Sequence, residues 1–134
     1  MRSNPSDLAI LNEIYTEYLG AFLERSSKSS AASQDKVYIP IDVERIASKL
    51  GMNKHILWGR LYYHLDQKYG YVKGDVHTNL FAAQVGSERH CIHFPLLSAI
   101  VADRERELRR YILSLALSVC ALVVAIISLT LKSH

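Results

Sequence analysis

The chain has 134 residues, of which 49% are hydrophobic and 22% charged, and its formal net charge is +3. Up to residue 102, 11 Lys and Arg face 10 Asp and Glu, so this part lacks the charge excess of a strongly basic nucleic-acid binder. About 100 residues suffice for one small domain and not for two, and Cys91 and Cys120 supply no disulfide framework.

Pro5 to Arg25 reads as an amphipathic helix capped by Ser6 or Asn4, with Pro5 in the first turn. Leu8, Leu11, Tyr15, Tyr18, Leu19, Phe22 and Leu23 recur at steps of three and four and form its apolar face. The serine-rich stretch from Ser26 to Lys36 buries too little apolar surface to order itself and reads as a loop. Val37 to Ile41 is a short strand that Pro40 confines to an edge or an end. Asp42 caps a helix running to about Leu50, with Val43, Ile46, Ala47 and Leu50 on one face and Gly51 as its stop.

Asn53 caps the next helix, Lys54 to about Lys68, in which Leu57, Leu61 and Leu65 repeat every four residues. Gly70 and Gly74 mark a turn. Val76 to Val85 and His90 to Phe94 then read as two strands around Gly86-Ser87-Glu88-Arg89, with Phe81, Val85, Ile92 and Phe94 toward the core. Pro95 opens a last helix.

That helix enters the most apolar part of the chain. Tyr111 to Leu131 contains no charge, Pro or Gly. As a helix it is about 31 Å long at ~1.5 Å per residue, enough for the ~30 Å hydrocarbon core of a bilayer. The expectation is a single-pass, tail-anchored membrane protein. Arg104, Arg106, Arg109 and Arg110 precede the span and Lys132 alone follows it, which places the N-terminal domain in the cytoplasm. Residues 1–94 are then the cytoplasmic domain, 95–110 a charged juxtamembrane helix, 111–131 the transmembrane helix and 132–134 a short outer tail. Within the span, Ser114, Ser118, Ala121, Ala125 and Ser128 form a stripe of small residues at the period of a left-handed helix pair, which suits a homodimer.

The order helix, strand, helix, turn, helix, hairpin over about residues 6–94 resembles that of winged helix-turn-helix domains. Ile46-Ala47 and Leu50-Gly51, followed by Leu57 and Leu61, resemble the helix-turn-helix pattern. Ala47 lets two helices cross closely, Gly51 turns the chain, and the leucines plug the second helix into the core. The expected fold is therefore α+β, a winged helix-turn-helix domain followed by one C-terminal transmembrane helix. The resemblance implies that the second helix of the motif enters a DNA major groove and the hairpin touches the backbone. Carried onto this chain, it points to Asn53, Lys54, His55, Trp58, Arg60 and Tyr62, with Lys73 before the wing and Arg89 and His90 at its tip.

The same helix carries only Lys54, Arg60 and Lys68 as cations, and its aromatic residues suit a protein partner equally. Gly59 in its middle costs about 1 kcal/mol against Ala and points to a close approach. The two expectations are a membrane-tethered DNA-binding regulator and a membrane-anchored adaptor for a cytoplasmic protein. No nucleophile–base pair or phosphate loop points to an enzyme. His77, His90, Cys91 and His93 lack zinc-site spacing, and no metal or cofactor is expected.

Overall fold

The structure, a computed structural model, describes residues 4–28 and 36–134. The chain forms two compact units, Met1–Val101 and Ala102–His134. The first is a mixed helix-and-sheet domain. The second is made of a long apolar helix.

The first helix, α1 (Asp7–Ser27), begins where the Ala9 N–H donates to Ser6 Oγ at 3.1 Å. Pro5 therefore lies before the cap and outside the first turn. Ile10, Leu11 and Ile14 are fully buried, Tyr15, Tyr18, Leu19 and Phe22 pack partly buried around them, and Leu23 is 55% exposed. The buried face is thus rotated toward Ile10 and Ile14, away from Leu23. The helix runs two residues into the expected loop, because the Ser26 and Ser27 hydroxyls donate back to the carbonyls of Leu23 and Glu24. Residues 29–35 of the serine-rich stretch lie outside the described residues.

Strand β1 (Tyr38–Pro40) lies at the sheet edge, where a proline without an N–H is tolerated. Helix α2 (Val43–Leu50) starts on Asp42, whose Oδ1 accepts from the Arg45 N–H at 3.1 Å. It ends on Gly51 at φ 66°, the left-handed conformation that favours glycine. After a three-residue turn, Asn53 caps α3 (Lys54–Gly59).

The helix expected to run unbroken from Lys54 instead changes pitch. After α3 comes a π-helical segment, Arg60–Leu65, and then α4 (Asp66–Tyr69). Leu57, Leu61 and Leu65 stay on the inner face through the change of pitch, and all three have 0% exposure.

The segment read as one strand from Val76 to Val85 is broken. β2 (Tyr71–Lys73) and β3 (Val76–Thr78) form a separate hairpin across Gly74-Asp75, with Gly74 at φ 62°. β4 (Phe81–Val85) and β5 (Glu88–His93) form the second hairpin, tightened to the two residues Gly86-Ser87. β5 pairs with β1 on its other side, giving an antiparallel sheet of order β1-β5-β4. Phe81 lies opposite Ile92 and both are buried; Val85 is only half-buried. Cys91 beside Ile92 is also fully buried, so both faces of β5 are covered there. Burial pushes the Cys91 thiol pKa up.

Phe94 is no longer in a strand; it opens α5 (Phe94–Lys132) one residue before Pro95. The Phe94 N–H still donates to Val37 O at 2.8 Å, and the Leu96 N–H donates to His93 Nδ1 at 3.2 Å. Pro95, which has no N–H, fits this first turn. Phe94 stacks between Tyr15 and Phe22 of α1, and Leu97, Ile100 and Val101 continue the core. Helix and strand thus share one domain core that ends at Val101.

From Glu105 onward every residue of α5 is exposed. This is the one helix among the described residues that is long and apolar enough to cross a membrane, with a mean hydropathy of 2.8 in its most apolar window. Three of its hydroxyls bond within the helix: Ser118 donates to Ser114 O, Ser128 to Val124 O and Thr130 to Ile127 O, at 2.8 to 2.9 Å.

Candidate interaction surface

The helix of α3, the π segment and α4 buries Leu57, Leu61 and Leu65 and turns its opposite side to solvent. That side carries exposed Ile56, Tyr63 and Gln67, with half-exposed Gly59 between the first two. Ile56 is 54% exposed and Tyr63 75%. A soluble helix ordinarily places charges here; this line has none.

The cations lie on the flanks and are drawn sideways to carboxylates. Lys54 Nζ is 3.3 Å from Glu44. Arg60 donates to Asp7 Oδ1 and to Pro5 O, both at 2.5 Å, and so ties the helix to the start of α1. His64 Nε2 is 2.7 Å and Lys68 Nζ 3.7 Å from the other Asp7 oxygen. Burial alone would raise the Asp7 pKa. The hydrogen bonds from Arg60 and His64 and their charges outweigh it and hold the carboxyl below its ordinary value.

The residues expected to bind separate into three groups. Asn53 is a helix cap, its Oδ1 accepting from the His55 N–H at 2.8 Å. Arg60 is engaged with Asp7 and Pro5. Tyr62 is packed inward, its ring 4.6 Å from that of Phe81, and its buried hydroxyl has no partner among the described residues. Lys54, His55 and Trp58 remain together on the wall of an open groove of about 900 Å³, with Tyr18, Pro40, Asp42, Glu44 and His90 among the other lining residues. Trp58 leans on Tyr62, ring centroids 4.2 Å apart, and meets Tyr63 edge-on at 5.9 Å. Lys73 is exposed on the β2–β3 hairpin, which is distinct from the β4–β5 hairpin bearing exposed Arg89.

His90 has φ 57°, a conformation uncommon outside glycine, and its carbonyl accepts from the Ile41 N–H at 2.8 Å. The Asp42 N–H donates to the Tyr18 hydroxyl at 2.7 Å, fixing the groove floor to α1. Glu44 sets a carboxylate against the charge of Lys54 on this wall.

Gly59 is the central feature of the exposed line. Its backbone is ordinary right-handed helix, φ −61° and ψ −40°. A Cβ placed there would meet only Tyr63 Cδ2, at 4.0 Å. Neither conformation nor packing within the domain requires glycine. The sequence signal for this line was Gly59 alone; Ile56, Tyr63 and the Asp7 cluster became evident only in the fold. No protein-family model, curated protein or solved structure matches the chain.

Proposed function

We propose that this chain is a membrane-anchored protein-interaction module: a winged-helix domain on the cytoplasmic side, held at the bilayer by residues 111–131, that binds a protein through the Ile56–Gly59–Tyr63 line. The observation that carries the reading is that line: uncharged, exposed at Ile56 and Tyr63, and carrying between them a glycine the domain does not need, while Lys54, Arg60 and Lys68 each lie within 4.0 Å of a carboxylate. DNA affinity depends chiefly on cations free to neutralise phosphates, and aromatic residues with few charges suit a protein interface.

The winged-helix assignment is supported by the element order and by the three-stranded sheet with its two-residue turn. The anchor is supported by the length, composition and complete exposure of the apolar helix and by its internally bonded hydroxyls. Its orientation rests on the four arginines before it. The stripe Ser114, Ser118, Ala121, Ala125 and Ser128 presents a small, low-polarity surface on which a second span can approach. Ser118→Leu with Ala121→Leu tests it by loss of span association in a membrane two-hybrid assay.

The experiment for the main reading places a photo-crosslinking benzoylphenylalanine at Tyr63 in the full chain. A protein adduct absent from the same probe at Ser48, exposed on α2, supports it. No protein adduct, together with duplex DNA binding that falls steeply with salt, refutes it in favour of the DNA-binding regulator.

A further inference from the structure

Resting on the membrane anchor of that reading, we infer that Arg106, Arg109 and Arg110 form a binding face for the headgroups of anionic phospholipids in the leaflet where the span begins. At about 100° per residue, these three arginines fall within an arc of about 100° around α5. All three are exposed. Leu113 lies in the same arc one turn further on and is 63% exposed. The basic face therefore continues directly into the apolar one.

Free charge sets these arginines apart. In the N-terminal unit Arg25, Arg45, Lys49, Lys54, Arg60 and Lys68 each lie within 4.0 Å of a carboxylate. In the long helix Arg104 Nη1 is 3.0 Å from Glu107 Oε2. Arg106, Arg109 and Arg110 have no carboxylate within 4.0 Å among the described residues. Asp103, Glu105 and Glu107 share the stretch, but depth separates the signs. At ~1.5 Å per residue, Arg110, Arg109 and Arg106 precede Tyr111 by about 1.5, 3 and 7.5 Å. The headgroup layer is about 5–7.5 Å deep on each side of a bilayer. It takes in Arg109 and Arg110 and reaches Arg106. Glu107, at about 6 Å, is held by Arg104, and Glu105 and Asp103, at about 9 and 12 Å, lie beyond the layer.

The chemistry of the side chain fits the ligand. A guanidinium stays charged when partly dehydrated, and its planar fork donates to two phosphate oxygens at once. Tyr111 follows at the depth where amphipathic aromatic rings settle. The leaflet that the arginines select by the positive-inside rule is also the one that carries anionic lipid. Span and arginines thus act on the same lipid molecules, one on the acyl chains and the other on the headgroups.

The test uses the full chain in lipid vesicles. Trp58→Phe with Leu113→Trp leaves one tryptophan, at the level of the acyl chains beneath the arginines. Its quenching by phosphatidylserine brominated on the acyl chains is compared with quenching by brominated phosphatidylcholine. Phosphatidylserine should be preferred about fivefold, the factor that one arginine–headgroup contact supplies. Arg106→Gln, Arg109→Gln and Arg110→Gln together should return the preference to one, while Lys132→Gln, beyond the other end of the span, leaves it unchanged. Equal quenching by the two lipids in the parent chain overturns the proposal, and so does a preference that survives the triple substitution. The unsubstituted chain gives a second measurement that needs no change in the domain. Spin-labelled phosphatidylserine should show a larger motionally restricted fraction than spin-labelled phosphatidylcholine, and equal fractions overturn the proposal. Equal quenching leaves the anchor standing, because the Leu113→Trp probe then still lies in the bilayer. A probe that neither lipid quenches removes the anchor and the proposal together.

Discussion

Replacing Gly59 by Ala should stabilise the domain. Glycine in a helix interior is about 1 kcal/mol less favourable than alanine, and Gly59 has helical φ and ψ. The added methyl meets one atom, Tyr63 Cδ2 at 4.0 Å, an ordinary contact distance, so no steric cost offsets the gain. For a domain of about 100 residues, 1 kcal/mol raises Tm by roughly 4–8 °C. With a urea slope of about 2 kcal/mol per molar, it moves the midpoint by about 0.5 M. Trp58 is the only tryptophan, so its fluorescence follows this domain alone in the detergent-solubilised full chain. An unchanged or lower midpoint would show that the π-helical turn beside Gly59 needs the glycine. The case for a partner-facing glycine would then be lost.

Leu61→Ala, at a fully buried position in the leucine line, should cost about 2–5 kcal/mol and leave little cooperative unfolding in the same titration. Asp7 has a folded pKa below its unfolded one, so the unfolded chain binds more protons between the two values. Its stabilisation is full above the ordinary carboxylate range and is lost as pH falls through the folded pKa; Asp7→Asn should lower the urea midpoint at pH 7 and flatten its fall below about pH 4. His93 is pushed the same way by burial while its Nδ1 accepts from Leu96. The urea midpoint should therefore drop as pH falls below about 6.5, and His93→Asn, which keeps a capping acceptor, should reduce that drop. Val124→Arg, at the middle of the apolar helix, should cost about 2.5–3.5 kcal/mol of insertion and shift the chain from the carbonate-resistant to the extractable fraction.

Features governed by local chemistry were legible in the sequence. Ser6, Asp42 and Asn53 cap the helices assigned to them, and Gly51 makes its turn, because each acts on a backbone group within a few residues. The apolar helix was equally plain, since length and composition define it. The β2–β3 hairpin left a trace in the Gly74-Asp75 pair, but the break at Asn79-Leu80 carries no Gly or Pro. It is held by distant groups: Leu80 O accepts from the His93 N–H, and Asn79 O from the Tyr38 hydroxyl. The site was partly legible for the same reason. Lys54, His55 and Trp58 fall together because one helix turn carries them. The engagement of Arg60 depends on Asp7, 53 residues earlier, and no spacing rule reports that distance.

The burial of Cys91 has a practical consequence. Its thiol is inaccessible in the folded domain, and its raised pKa keeps the reactive thiolate scarce. A water-soluble maleimide can reach it only when the sheet opens, while Cys120 lies within the apolar stretch. The rate of Cys91 modification would therefore report spontaneous openings of the domain without denaturant.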